Sequence, residues 1–166
     1  MKYEIIKDNI VSLKEPVEAI INSANRFMSM GGGVCGAIHK AAGFEFTEYC
    51  FSLGGLKTTE SKITPGFDLP YKYVIHALAP IYKKSTSPIE ELINTYLNVI
   101  NLAIKSNIKS IAFPILGSGH YGYPIDIAIE CVFCAFDMVK DESIEIKLVC
   151  YTDEEYIMAK KLDILG

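Results

Sequence analysis

The sequence predicts an α/β protein in which helices cover both faces of a sheet. Strand and helix patterns alternate from one end of the chain to the other. The strand candidates Ala19–Asn22, Tyr73–His76 and Ser110–Ile115 are too apolar to face water, as befits strands buried on both sides. Two glycine-rich stretches, Gly31–Gly33 and Gly117–Gly122, each fall between a strand and a helix, where open α/β sheets hold ligands.

The first strand is expected over Lys2–Lys7, which alternates around Tyr3, Ile5 and Ile6, with Asp8-Asn9-Ile10-Val11 as a polar turn after it. Ala19–Asn22 is the second strand. A helix-compatible run from Val34 to Ala42 stops at Gly43, where a left-handed cap suits glycine. Glu45–Leu53 can form another helix, closed by Gly54-Gly55. Ser61–Thr64 is a short strand, Pro65-Gly66 a turn, and Tyr73–His76 a buried strand running into Ala79-Pro80. Ser87-Pro88-Ile89-Glu90 reads as a capping box with proline at the first helical position. Ile89, Leu92, Ile93, Tyr96, Ile100 and Ala103 then keep one apolar stripe. Ser110–Ile115 is a strand, Leu116–Tyr123 a glycine-rich loop, and Pro124 opens a helix to about Lys140. Ile144–Tyr151 is the last strand and Asp153–Leu162 the last helix.

Half of the 166 residues are apolar, so residues 1–166 are expected to form a single domain with a core of its own. The net charge of −4 and the absence of a basic run exclude a phosphate-tracking nucleic-acid surface and an anionic-membrane patch. No apolar leader opens the sequence, and no apolar span reaches the ~18 residues a membrane helix needs, which predicts a cytoplasmic protein. Five cysteines, an odd number, argue for a reducing compartment and against a disulfide framework. Cys131 and Cys134 form a C-x-x-C within a helical pattern of Ala128, Val132, Ala135 and Phe136, so both are expected to be buried as small hydrophobes. No second Cys/His pair has ligand spacing, and neither a metal nor a cofactor is expected.

The chemistry concentrates around the first glycine loop. A strand ends in Asn22 and Asn25, leads into Gly31–Gly33 and enters a helix. Glycines let successive backbone N–H groups face one point, and the helix start adds free N–H groups and the positive end of its dipole. A phosphate or pyrophosphate is the natural guest. The second loop, Gly117-Ser118-Gly119-His120-Tyr121-Gly122, satisfies G-x-G-x-x-G and by itself invites a dinucleotide reading. In that motif an acid about twenty positions on ends the next strand and holds the ribose, whereas Asp141 and Glu142 precede the next strand here. Two glycine loops at neighbouring strand ends instead predict a diphosphate clamped from both sides.

These residues resemble the macrodomains, in particular the MacroD-type branch that binds ADP-ribose. Asn22-Ser-Ala-Asn25 and Gly31-Gly-Gly-Val-Cys-Gly-Ala-Ile-His39 are similar to the family's Asn-Ala-Ala-Asn and Gly-Gly-Gly-Val-Asp-Gly-x-Ile-His signature. The second loop is similar to its Ser-Thr-Gly-Val-Phe-Gly-Phe-Pro segment, and Lys62–His76 to its central strand pair. The resemblance covers essentially the whole chain and implies a three-layer α/β/α fold with a central mixed sheet. It makes Asn22 a ligand-binding residue and Asn25 the holder of the distal ribose. Gly32, Gly33 and Val34 belong to the first phosphate loop, and Ser118, Gly119, His120, Tyr121 and Gly122 to the second, with Tyr121 against the distal ribose. Ile10 offers backbone to adenine, Asn9 stands where an aspartate accepts the exocyclic amine, and Tyr151 matches an aromatic position near adenine. An amide oxygen at Asn9 can still accept.

Cys35 occupies the position of the family's aspartate, which helps position or activate the hydrolytic water. A thiol of ordinary pKa ~8.5 is mostly neutral at pH 7 and a poor base. The helix start favours a thiolate, and His39 lies one turn on, which admits a Cys35–His39 pair; the family's histidine at that position implies packing instead. His120 replaces an aliphatic residue and could take over as base. His76, inside an apolar strand, is expected as a satisfied core histidine. Two functions stay open: a hydrolase of ADP-ribosyl or O-acyl-ADP-ribose esters, and a module that reads ADP-ribose or ADP-ribosylated protein without turnover. Cys35 favours the second; Asn25, Tyr121 and His120 favour the first.

Overall fold

Alternation of apolar side chains along the strands decides how the layers form. In the computed structural model, which describes residues 1–163, the strands are β1 (Lys2–Lys7), β2 (Ala19–Ser23), β3 (Ser61–Pro65), β4 (Tyr73–Ala77), β5 (Ser110–Phe113) and β6 (Glu145–Cys150). The helices are α1 (Gly33–Ala42), α2 (Phe44–Ser52), α3 (Pro88–Lys105), α4 (Ile125–Met138) and α5 (Asp153–Leu162), with a 3-10 turn at Ile10–Ser12. Ile20, Val74, Ala112 and Val149 pack into one core with Ile38 and Ala42 of α1 and Phe46 and Cys50 of α2. Their neighbours Ile21, Ile75, Phe113 and Leu148 face the other way, into a larger core with α3, α4 and α5. A period of two thus builds one sheet between two helical layers, the three-layer arrangement expected.

The sheet runs β1-β6-β5-β2-β4-β3, parallel throughout except for the last pair, where β3 lies antiparallel to β4. Five strands therefore bring their carboxyl ends to one edge, and the loops after β1, β6, β5 and β2 gather there. Among the described residues no helix is long and apolar enough to cross a membrane.

Several local expectations are corrected. β5 ends at Phe113 rather than Ile115, and Phe113 opposite Leu148 is its last paired residue. β6 spans Glu145–Cys150, so Tyr151 lies just beyond it. α4 begins after Pro124 and stops at Met138, short of Lys140, and α2 begins at Phe44. Ser87 makes no side-chain cap. Ser85 braces the approach to the helix: its Oγ accepts from the Ser87 N–H at 3.2 Å and donates to Glu91 at 2.7 Å. A capping box is present instead at α5, between Thr152 and Glu155. Within the α3 stripe Leu92, Tyr96, Ile100 and Ala103 are buried, but Ile89 is exposed at the first turn. Cys131 is buried as expected, whereas Cys134 is exposed.

Candidate functional site

The sheet order places the candidate residues along one edge. Asn9 and Ile10 follow β1, Tyr151 follows β6, Ser118–Gly122 follow β5, and Asn22 to Val34 lie at and beyond the end of β2. From β1 to β2 is three strand spacings, about 14 Å, room for an extended dinucleotide-sized ligand laid along the edge.

The first loop is organised by Asn25. Its Oδ1 accepts from the Phe27 and Ser29 N–H groups at 3.0 and 3.2 Å and from Ser29 Oγ at 3.3 Å, while Nδ2 donates to the Ser29 carbonyl at 2.9 Å. Two backbone donors on one oxygen fix which way the amide points. Only the second Nδ2–H is left to offer a ribose, so Asn25 first shapes its loop. The chain enters α1 through Gly33, at φ +54°, a left-handed conformation that glycine adopts freely. A Cβ on Gly32 or Gly33 would meet no atom within 4 Å and both glycines are exposed, so the space before the start of α1, whose first N–H groups have no partner within the helix, is open. Gly36 is glycine for a different reason: a Cβ there would lie 2.4 Å from the Gly31 carbonyl oxygen.

The second loop is held by tyrosines. Tyr96 accepts the Leu116 N–H at 2.7 Å, Tyr123 donates to the Pro88 carbonyl at 2.6 Å, and the Tyr123 N–H closes on the Gly117 carbonyl at 2.9 Å. Tyr121 reaches across to the first loop, donating to the Ala24 carbonyl at 3.1 Å. Its phenol is pushed above its ordinary pKa by burial and secondarily by the neighbouring Cys35. Ser118 is half-buried, while Gly119 and His120 are exposed, the imidazole lying edge-on to the Tyr121 ring.

Beneath the loops runs a buried polar chain that includes Asn22, expected as a ligand-binding residue. Asn22 is fully buried. Its Nδ2 lies 3.1 Å from His76 Nδ1 and 3.8 Å from Cys35 Sγ, so its amide N–H groups meet protein partners beneath the loops. An amide N–H can only donate, so His76 Nδ1 accepts and its protonated Nε2 faces Thr64 Oγ1 at 2.9 Å. Asn22 Oδ1 has no hydrogen-bond partner. His76 is the satisfied core histidine expected, with burial lowering its pKa to about 3 and His39 adding to the shift.

Cys35 is buried and its Sγ donates to the Ser29 carbonyl at 3.5 Å. Burial raises its pKa and outweighs the lowering by the Asn22 and Gly31 contacts, which keeps the thiol neutral. His39 is not its partner: Nδ1 pairs with Thr47 Oγ1 at 2.8 Å, the ring packs on Phe46, and burial lowers its pKa. The Cys35–His39 pair is thereby set aside.

The two lowered histidines predict how stability depends on pH. An unfolded histidine takes up a proton near pH 6.5, whereas folded His76 resists protonation down to about pH 3. Stability should be at its full value above pH 6.5 and fall by about 1.4 kcal/mol per pH unit below it for this residue alone. Urea denaturation between pH 7 and 4, with His76→Gln as the variant that flattens the profile, checks the sign and the source.

At the β1 end, Asn9 caps the 3-10 turn, accepting from the Val11 N–H at 3.2 Å. Ile10 is buried, with its carbonyl bound by Tyr71 Oη at 2.7 Å. Tyr151 is 70% exposed beside them, its N–H on Glu155, since the Asp8 N–H pairs with the Cys150 carbonyl. Tyr71, Tyr96, Tyr123 and the Thr64–His76 pair are the supports that sequence reasoning missed. Each reads as an ordinary buried or polar position, and only the abundance of tyrosine hinted at hydroxyl anchors.

A family profile for the Macro domain matches residues 21–132, a span that includes both glycine loops. A Macro domain-containing protein of Chlorobaculum tepidum is 39% identical over 160 residues, 94% of this chain and 92% of the relative. The ADP-ribose glycohydrolase MACROD1 of Bos taurus is 40% identical over 136 residues, 81% of this chain but 41% of that longer protein. The Oceanobacillus iheyensis macrodomain with ADP superposes with a TM-score of 0.89 at 32% identity, covering 96% of this chain and 88% of that one. The Trypanosoma brucei macrodomain in complex with ADP-ribose gives 0.86 at 28% identity, covering 96% and 68%. With two clamped glycine loops at the carboxyl edge of a mixed six-stranded sheet and a profile match over most of its length, this chain belongs to the Macro domain family.

Proposed function

We propose that this chain binds ADP-ribose along the carboxyl edge of its sheet, with adenine near Ile10 and Tyr151, the diphosphate between the glycine loops, and the distal ribose toward Asn25 and Tyr121. The observation that carries this reading is the Tyr121–Ala24 hydrogen bond, which joins the two glycine loops across the end of β2. Backbone amides suit a diphosphate in a chain of net charge −4, since they offer donors without a basic patch.

The second part of the proposal is slow hydrolysis of ADP-ribosyl or O-acyl-ADP-ribose esters, on free nucleotide or on ADP-ribosylated protein. Water would add to the ester carbonyl carbon, breaking its bond to the ribose oxygen, or to the ribosyl carbon, breaking its bond to the carboxylate oxygen. The proton that water loses would pass to a phosphate oxygen of the ligand, because the neutral Cys35 thiol is a poor base, and from there to the departing oxygen. His120 is the alternative acceptor. The same thiol favours a second reading, a module that holds ADP-ribose without turning it over.

Calorimetry with ADP-ribose and AMP tests the binding proposal. ADP-ribose should raise the melting temperature, since a ligand that meets only the folded state stabilises it by mass action. AMP, lacking the diphosphate and second ribose, should do so far less. Absence of any ADP-ribose signal at millimolar ligand would end this reading of the cleft.

A further inference from the structure

The loop between Asn25 and Gly31 turns large apolar side chains outward beside the glycine site. Phe27 and Met30 are 56% and 53% exposed, while Met28 between them is 1% exposed. This loop is built, not slack. Asn25 ties it with four hydrogen bonds. The Arg26 carbonyl accepts the Leu56 N–H at 2.8 Å and sits where a Cβ on Gly55 would be only 2.4 Å away. Met28 adopts φ +54°, a left-handed conformation that is unfavourable for a residue other than glycine. The loop accepts that strain, buries Met28 and presents its neighbours to solvent, a pattern associated with functional surfaces.

Charge gives the surface a sign. The Arg26 guanidinium lies over the Phe27 ring at 4.8 Å, which positions it without using its N–H donors. Lys57 follows Leu56, and the Lys62 ammonium bonds the Leu53 and Gly55 carbonyls beside it. Glu60, the nearby carboxylate, is engaged by the Lys57 N–H at 3.1 Å. In a chain of net charge −4 this is a local cationic and apolar rim.

We infer that this rim docks the polypeptide that carries the ADP-ribose: an acidic segment flanking the modified side chain lies against Phe27 and Met30, with Arg26 as its countercharge. The inference rests on the ADP-ribose reading above. The rim is continuous with the cleft, since Asn25 precedes Arg26 and Met30 precedes Gly31. The apolar pair suits a peptide, and the cations suit its carboxylates.

The test titrates the full chain with free ADP-ribose and with ADP-ribosyl peptides joined by a non-hydrolysable amide, one with acidic and one with Ser/Gly flanks. The acidic peptide should bind about tenfold more tightly than free ADP-ribose, because linked contacts add to one binding event. F27S/M30S should bring that ratio to within about twofold while the affinity for free ADP-ribose is kept, as expected for exposed residues outside the cleft. R26S should weaken the acidic peptide and spare the Ser/Gly one. A wild-type ratio near one overturns the inference, as does equal weakening of free ADP-ribose by F27S/M30S. An equal gain from an ADP-ribosylated oligonucleotide overturns the assignment to polypeptide. If free ADP-ribose does not bind wild type, the reading of the cleft fails first and is distinguished by that result.

Discussion

Replacing Gly33 by valine should abolish ADP-ribose binding, by at least about a hundredfold, in a protein that still folds. Two effects act together. Gly33 sits at φ +54°, which a β-branched residue reaches only at a cost of about 1–3 kcal/mol, so valine would drive the backbone to negative φ and turn the first N–H groups of α1 away from their common point. The Cβ and its methyls would also occupy the open space in front of the loop, where no protein atom lies within 4 Å. That openness is why the fold should survive: in the free protein the new side chain meets nothing. Calorimetry on a variant whose melting transition remains cooperative checks it, and unchanged affinity would remove the first loop from the site.

Changing Cys35 to aspartate is expected to raise ester hydrolysis by about 10²–10⁴-fold, the usual worth of general acid–base assistance, with little change in ADP-ribose affinity. Aspartate would keep the Asn22 donor and gain the positive end of α1. It would lose the donation to the Ser29 carbonyl and set two acceptors against each other, so the Asn25–Ser29 loop must yield slightly. Wild type should be slow and insensitive to Cys35→Ala. If wild type is already fast and Cys35→Asp is neutral, the ligand phosphate or His120 suffices as base without a carboxylate, and His120→Ala separates them. Activity destroyed by Cys35→Ala and not restored by aspartate would mean a thiolate nucleophile, against the raised thiol pKa.

The order of strands and helices was legible because period-two and helical patterns are local, and both glycine loops because glycine between a strand and a helix has few other uses. The supports of those loops were not. Tyr71 reaches Leu13 over 58 positions, His76 reaches Asn22 over 54, and Tyr96 reaches Leu116 over 20. Nothing in the spacing of an aromatic or a histidine in an apolar run announces such a partner. Asn22 and Asn25 are alike in sequence, yet one supports the sheet interior and the other shapes a loop. Element ends were misjudged where side chains suited the element but the ladder had stopped, as at Ile115 and Tyr151, and the cap expected of Ser87 is not made.

The order of the sheet also sets when it can be finished. In the sheet β1 has one neighbour, β6, with Lys2 opposite Glu145, so this strand has no ladder to join until β6 has been made. At translation rates of about 5–20 residues per second that wait lasts roughly 7–30 s. The inner strands β2 and β4, whose pairing spans far fewer residues, are free to assemble meanwhile. Closure of the longest-range contact belongs to the end of folding, where loop entropy is heaviest and rates are slowest. Asn9 and Ile10 follow β1 directly, so the end of the cleft proposed to hold adenine would be the last part to exist during synthesis, after both glycine loops.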